Sequence, residues 1–357
     1  MIAEPAGVAG ELDALYAEMA RLHLEGLWRL GDEVQAERPR VTAQPYVWRG
    51  ADIRRVLERA GELIQHSAAA ERRTLRLVNP GLQAQHCATH TLAASVQLLR
   101  PGEVAPTHRH TPAAIRFVIQ GHGAYTTVAG ERCTMAPGDL VLTPRWAWHH
   151  HGNAGDEPVI WMDGLDFPLV ILLQANFFER YPAGQQPEDQ PPDASLRRYG
   201  GALRPAWVRP ATAAPPLLIY RWEPTYTALQ RLAQLEASPY DDVVLEYTDP
   251  RTGGSVLPAL GCWIQLLRPG VRTRAHRHTS SAVYHVFRGR GYSVIDGQRF
   301  DWEQGDFLAL PGWAWHEHAN PGEEAAILFS ITDLPALEAL ALYREEPYPG
   351  DGHQPLA

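Results

Sequence analysis

The chain contains itself twice. LLRPGEVAPTHRHT (Leu98 to Thr111) returns as LLRPGVRTRAHRHT (Leu266 to Thr279), 168 residues later. GDLVLTPRWAWHHHGN (Gly138 to Asn153) returns as GDFLALPGWAWHEHAN (Gly305 to Asn320), 167 residues later. A near-constant offset over two separate motifs means two copies of one folding unit, with a one-residue indel between the motifs. Each copy is a run of short apolar stretches broken by Gly and Pro, such as SVQLLRPG, IRFVIQGHG and LVLTP. That texture predicts an all-β class, with two barrels in one chain and α-helices at the periphery.

A chain of 357 residues has room for both copies. Residues 1–70 read as an N-terminal helical arm. Leu12, Leu15, Met19, Leu22 and Leu27 fall at helical intervals within 11–30, and 52–64 repeats the pattern with Asp52 as its N-cap. The first barrel is expected over 71–180. The Pro- and Gln-rich passage 181–224 reads as an extended linker. The second barrel fills 225–357, with a helix over 226–237 and a helical C-terminus.

A formal net charge of -9 argues against a nucleic-acid partner. The chain has no lysine and 32 arginines, so any cationic anion-binding side chain is a fork-shaped donor that stays charged. The three cysteines, Cys87, Cys133 and Cys262, are scattered without a CxxC spacing, which suits a reducing cytoplasm. The N-terminal residues lack the basic start and apolar run of a signal peptide. No stretch approaches the roughly 18 to 20 apolar residues of a membrane span, so no membrane partner is expected.

The histidines carry the chemistry. On a strand, His108 and His110 project from one face, because side chains alternate. A third ligand must come from another strand, and HHH (His149 to His151) offers three. The second copy reads HEH there, so His150 matches Glu317 and drops out. His149 and His151 share a face, and the fixed distance from Gly138 and Pro144 favours His149. The equivalent second set is His276, His278 and His316. Structural zinc prefers a closed set with thiolates, and no cysteine lies near either motif.

These motifs resemble the two cupin motifs, in both copies. The wider likeness is to the bicupin ring-cleaving dioxygenases, gentisate 1,2-dioxygenase and the enzymes that open salicylate, 5-nitrosalicylate or 1-hydroxy-2-naphthoate. It extends over AERRTLRLVNPGL, HTLAASVQLL, the arginine of AAIRF, WMDGLDFPLV, HRHTSSAVYHVFRG and ALYREE. The resemblance implies two jelly-roll barrels, non-haem Fe(II) on His108, His110 and His149, O2 as co-substrate, and a small aromatic hydroxy acid as substrate. It also implies a homo-oligomer, a tetramer or dimer. Many cupins place a Glu after the HxH, and that position is Ala114 here and Ala282 in the copy. Three neutral imidazoles leave the full charge of a divalent metal, which suits a substrate chelating through carboxylate and ortho hydroxyl.

The resemblance further assigns a surrounding set. Arg116, six residues after His110 and on its face, matches the family's substrate-carboxylate arginine. Arg72 or Arg73 matches a second arginine, and Gln97 an inward glutamine. His151 and Asp163 match a pair near the metal, with His151 as acceptor of the substrate's hydroxyl proton and the carboxylate fixing its tautomer. Ala93, Ser95 and Gln97 share one strand face, and Ala93 stands where the family commonly has an aromatic residue, so a bulkier ring substituent is expected to fit. In the second copy Arg116 becomes Tyr284 and Asp163 becomes Ser330. Catalysis is therefore expected in the first barrel, with gentisate as default substrate. A metal-dependent decarboxylase or isomerase, or a binding bicupin, are the competing classes.

Overall fold

The computed structural model describes residues 9–31, 35–64, 73–200 and 217–356. It divides into a small unit, Met1–Arg40, and a large one, Val41–Ala357. In the small unit the helix Ala9–Arg21 ends earlier than its apolar periodicity suggests. His23 takes φ 55°, and a 3-10 turn, Leu27–Arg29, follows.

In the large unit each repeat folds as a six-stranded sheet packed on a five-stranded one, among the described residues. In the first barrel the six-stranded order is Ile219–Tyr220, Leu140–Thr143, Ala114–Gln120, Val159–Leu165, Ala93–Leu99, Arg73–Arg76. Its five-stranded partner runs Phe178–Arg180, His108–His110, His149–Asn153, Ala124–Val128, Glu131–Thr134. The second barrel repeats this: Tyr46–Trp48, Phe307–Leu310, Ala282–Arg288, Ala326–Thr332, Gly261–Leu267, Val243–Glu246 against Gln298–Glu303, Arg290–Ile295, His316–Ala319, His276–His278, Glu345–Pro347. All recorded pairings are antiparallel. Val118, Val141 and Trp161 meet Ala124, Val128 and Cys133 in the first core. Ile295 and Trp302 meet Leu308, Leu310 and Leu328 in the second.

The barrels exchange their leading strands. Tyr46–Trp48 precedes the first barrel in the chain but pairs with Phe307–Leu310 of the second. Ile219–Tyr220 precedes the second but pairs with Leu140–Thr143 of the first. Each leading strand runs into a helix, Gly50–Leu63 or Trp222–Leu232. The aspartate of each GD pair receives the free amide at that helix start. Gly50 N donates to Asp306 Oδ1 at 2.7 Å, and Trp222 N to Asp139 Oδ1 at 2.9 Å. Arg49 and Arg221 bind the second oxygens of the same carboxylates. The expected N-cap Asp52 lies instead in the first turn, and the N-cap position is Arg49. Glycine is needed at this crossing: a Cβ on Gly50 would stand 2.4 Å from the Gly305 carbonyl carbon.

The segment from Val41 to Ile64 is thus part of the barrel assembly rather than an arm, because the sheet edge at Phe307–Leu310 captures it. The Pro-rich passage also differs from an extended linker where it is described. Gln186 bonds Thr127 O and the Gly130 amide, and the Ser195 hydroxyl bonds Glu131. These bonds tie it to the first barrel, so its prolines shape a wrapping path. Residues 201–216 lie outside the described set. At the C-terminus the helix stops early, at Leu334–Ala339, where Ala341 takes φ 56°. The chain then adds Glu345–Pro347 to His276–His278 as the edge strand of that sheet.

One apolar seam joins the barrels. Phe117 stacks on Phe329 with centroids 4.1 Å apart and planes 9° from parallel. Gly164 lets the sheets approach, since a Cβ there would meet Ile331 Cδ1 at 2.8 Å.

Candidate metal centre and adjoining cavity

His108 and His149 face each other as a registered pair on adjacent antiparallel strands. Alternation brings His110 to the same face. The ligand-capable atoms of His108, His110 and His149 lie within 4.8 Å of one another, and those of His276, His278 and His316 do likewise. The spacing that singled out His149 over its neighbours therefore closes in three dimensions. His150 points the other way, to Thr107 Oγ1 at 3.1 Å.

Backbone carbonyls set the tautomers. His108 Nδ1 donates to Pro106 O at 2.9 Å, His110 Nδ1 to Pro112 O at 2.7 Å, and His149 Nδ1 to Ala147 O at 2.9 Å. A carbonyl can only accept, so each ring carries its proton on Nδ1 and presents a bare Nε2. His149 Nε2 is buried without a hydrogen-bond partner. Burial, reinforced by the charges of His108, His110 and Arg116, holds His149 well below the ordinary imidazole range. Three neutral imidazoles with converging Nε2 atoms fit a first-row divalent metal in the first barrel.

A cavity of about 200 Å3 adjoins this triad, and His110 is one of its walls. Ala93, Ser95, Gln97, Ala114, Arg116 and Asp163 line it, as does the residue set Thr74, Arg76, Leu165 and Phe167. Arg116 is 3% exposed; its Nη1 donates to Thr143 Oγ1 at 2.8 Å and its Nε lies 3.1 Å from Asp163 Oδ1. Trp161 Nε1 donates to the other Asp163 oxygen at 3.1 Å. Asp163 thus holds Arg116 and Trp161, and His151 Nδ1 meets Thr126 Oγ1 at 3.2 Å. The amide nitrogen of Gln97 is buried beside the cavity with no hydrogen-bond partner.

Of the two candidates for a second arginine, Arg73 does not face the cavity. Arg73 is buried against Glu103 and donates to Ile64 O at 3.1 Å, on the strand face opposite the cavity. Arg72 lies outside the described residues. Among the described residues of this segment Arg76 lines the cavity, over the Phe167 ring at 5.2 Å. Strand register explains this: Thr74 pairs with Gln97 and Arg76 with Ser95, so these two share the inward face. The signal was present in RTLR, two residues apart from Thr74, but only register says which alternate set turns in.

The second barrel keeps the triad and loses the cavity's chemistry. Register places Trp263 where the first barrel has Ser95, and Glu246 where it has Arg76. Tyr284 stands opposite Ser330, as Arg116 stands opposite Asp163. Gln265, the counterpart of Gln97, spends its amide on Asp241 O at 2.7 Å. Burial, with nearby His278 and His318, pushes His276 down to about 3. A carboxylate and a phenol stand where the first barrel has two arginines, so among the described residues this barrel lacks that arginine pair.

Comparison with known proteins agrees with the geometry. The cupin domain model matches residues 95–166 and 263–332. A 5-aminosalicylate 1,2-dioxygenase of Comamonas sp. is 43% identical over 349 residues, covering 96% of this chain and 92% of that protein. A gentisate 1,2-dioxygenase of Aquipseudomonas alcaligenes is 38% identical, covering 96% and 98%. The crystal structure of salicylate 1,2-dioxygenase from Pseudoaminobacter salicylatoxidans, solved as adducts with gentisate, superposes with a TM-score of 0.90 at 34% identity over 97% of this chain and 96% of that one. The chain, with its two cupin barrels, belongs to the gentisate and salicylate 1,2-dioxygenase family of bicupin ring-cleaving dioxygenases.

Proposed function

We propose that the first barrel binds Fe(II) through His108, His110 and His149 and opens the ring of a 2-hydroxybenzoate between its carboxyl- and hydroxyl-bearing carbons. The observation that carries this is the cavity beside the triad, walled by Arg76, Arg116 and a partnerless Gln97 amide. Iron, when bound, supplies a Lewis-acidic and redox-active centre for a chelating substrate and O2. The protein's part is orientation. Arg116, held by Thr143 and Asp163, takes the substrate carboxylate through a two-pronged bond. Arg76 adds a second positive charge on the same face. His151, with Nδ1 on Thr126, accepts the substrate's hydroxyl proton at Nε2.

Gentisate is the default substrate, and 5-aminosalicylate has an amino group, also electron-donating, where gentisate has its 5-hydroxyl. Salicylate, 5-nitrosalicylate and 1-hydroxy-2-naphthoate complete the panel, since Ala93 and Ser95 leave room on one wall. Oxygen uptake by iron-loaded protein is expected with at least one of these five, with His108→Ala inactive and His276→Ala active. Release of CO2 without oxygen consumption would favour a decarboxylase. The His276, His278, His316 set is proposed as a second metal position that does not turn over substrate. The exposed run Ile171, Leu172, Leu173, Phe177 and Phe178 supports a homo-oligomer, to be measured by sedimentation.

A further inference from the structure

The residue between the two histidines of each HRH strand is an arginine, and alternation turns it away from the triad's face. Arg109 lies between two indoles, 4.4 Å from the Trp146 ring centre and 4.3 Å from that of Trp148. Its Nε donates to Glu179 Oε2 at 2.8 Å, on the neighbouring strand Phe178–Arg180. Trp148 in turn meets Tyr181 edge-on at 5.0 Å. The arrangement therefore touches three segments: the strand with His108 and His110, the turn leading to His149, and the strand that covers the first.

The turn is held in an uncommon conformation. Trp146 takes φ 59°, in the left-handed region that an aromatic residue rarely adopts. Its amide donates to His110 O at 2.9 Å, so the backbone of the turn is tied to the second ligand. Such a conformation is strained and persists only where surrounding contacts over-determine it. Arg109 supplies such contacts, stacking on Trp146 and, two residues on, on Trp148.

The second barrel reproduces every part. Arg277 lies 4.4 Å from Trp313 and 4.3 Å from Trp315, and binds Glu346. Trp315 meets Tyr348 at 5.0 Å, and Trp313 takes φ 64°. Around the cavity the two barrels have diverged at Arg76, Ser95, Arg116 and Asp163. The arginine sandwich has stayed the same wherever the histidine triad has stayed. It follows the ligands and not the substrate pocket.

We propose that Arg109 is a positioning residue for the metal: by clamping Trp146 and Trp148 it sets His149 against the His108–His110 pair, and Arg277 does the same for His316. This rests on the reading of the triads as metal sites. A long, flat, weakly hydrated guanidinium suits the gap between two indoles, and a lysine ammonium does not replace it there.

The test is titration of metal-free protein with Co(II), followed by its visible absorption, in a His276→Ala background so that the first triad alone is read. Arg109→Met is expected to weaken Co(II) binding ~10–100-fold, the usual effect of losing a group that orients a ligand. It should also alter the Co(II) absorption envelope, which a purely structural role would leave unchanged. Trp146→Gly removes one stacking face while relieving the left-handed strain, so it keeps the fold and is expected to weaken binding as well. Arg109→Lys should restore little. Parent affinity and spectrum in both Arg109→Met and Trp146→Gly would overturn the clamp, as would full rescue by lysine. No Co(II) binding by the parent would overturn the metal reading itself, and the clamp with it.

Discussion

At the residue scale, Arg116 joins the proposed substrate site to folding. It is a cavity wall and also the ion-pair partner of buried Asp163. A charge-assisted hydrogen bond is worth ~1.5–3 kcal/mol, so Arg116→Gln should lower kcat/KM by ~10–150-fold. Removing one member of a buried pair also costs ~3–5 kcal/mol of stability. The double variant Arg116→Gln with Asp163→Asn should recover most of that stability in urea unfolding and none of the activity. Ala93 makes a second prediction. Ala93→Trp narrows the cavity wall and should raise KM for 1-hydroxy-2-naphthoate more than for gentisate in parallel steady-state assays.

At the element scale, the helices Gly50–Leu63 and Trp222–Leu232 are docked by aspartates distant in sequence. Each GD aspartate sits on one barrel's sheet and caps the helix that follows the exchanged strand. The cap therefore reports on strand exchange as well as on the helix. Asp306→Ala should cost ~0.5–2 kcal/mol for the lost cap. Arg49 stays half exposed in that variant, so no buried charge is stranded. Asp139→Ala is expected to behave alike, and the two losses should add in denaturant unfolding, because the sites lie on different barrels.

At the scale of the whole molecule, the seam between the barrels contains an odd member. His285 occupies the place that Phe117 has in the first barrel, packed 4.5 Å from Phe307 and 6.2 Å from Phe117 by ring centres. Neither ring nitrogen has a hydrogen-bond partner; the Asp306 backbone approaches without the geometry for one. Burial pushes His285 down to about 3. The folded state therefore requires the neutral ring, while the unfolded chain gains a proton near the ordinary value of 6.5. Its contribution is fully present above that value and is lost as pH falls from 6.5 toward 3. His285→Phe should raise stability by ~1–3 kcal/mol at neutral pH, the cost of a buried unsatisfied group, and should flatten the acid side of the stability profile. Thermal melts between pH 4 and 8 would show both effects.

What the sequence determined by itself was whatever repeats or alternates. The 168-residue offset contained two like barrels; alternation on HRH, the HEH of the second copy and the distance from Gly138 and Pro144 together favoured His108, His110 and His149 over His150. Arg116 and Gln97 were legible through the resemblance of their motifs, and alternation then put Ala93 and Ser95 on the face of Gln97. Tertiary structure decided what depends on pairing between distant segments. Register turned Arg76 inward and Arg73 out to Glu103. Packing placed Asp163 on Arg116, and edge capture drew Tyr46–Trp48 across to the second barrel. The physical reason is that a sheet edge bonds any backbone that reaches it in register, and backbone groups carry no residue code for which segment that will be.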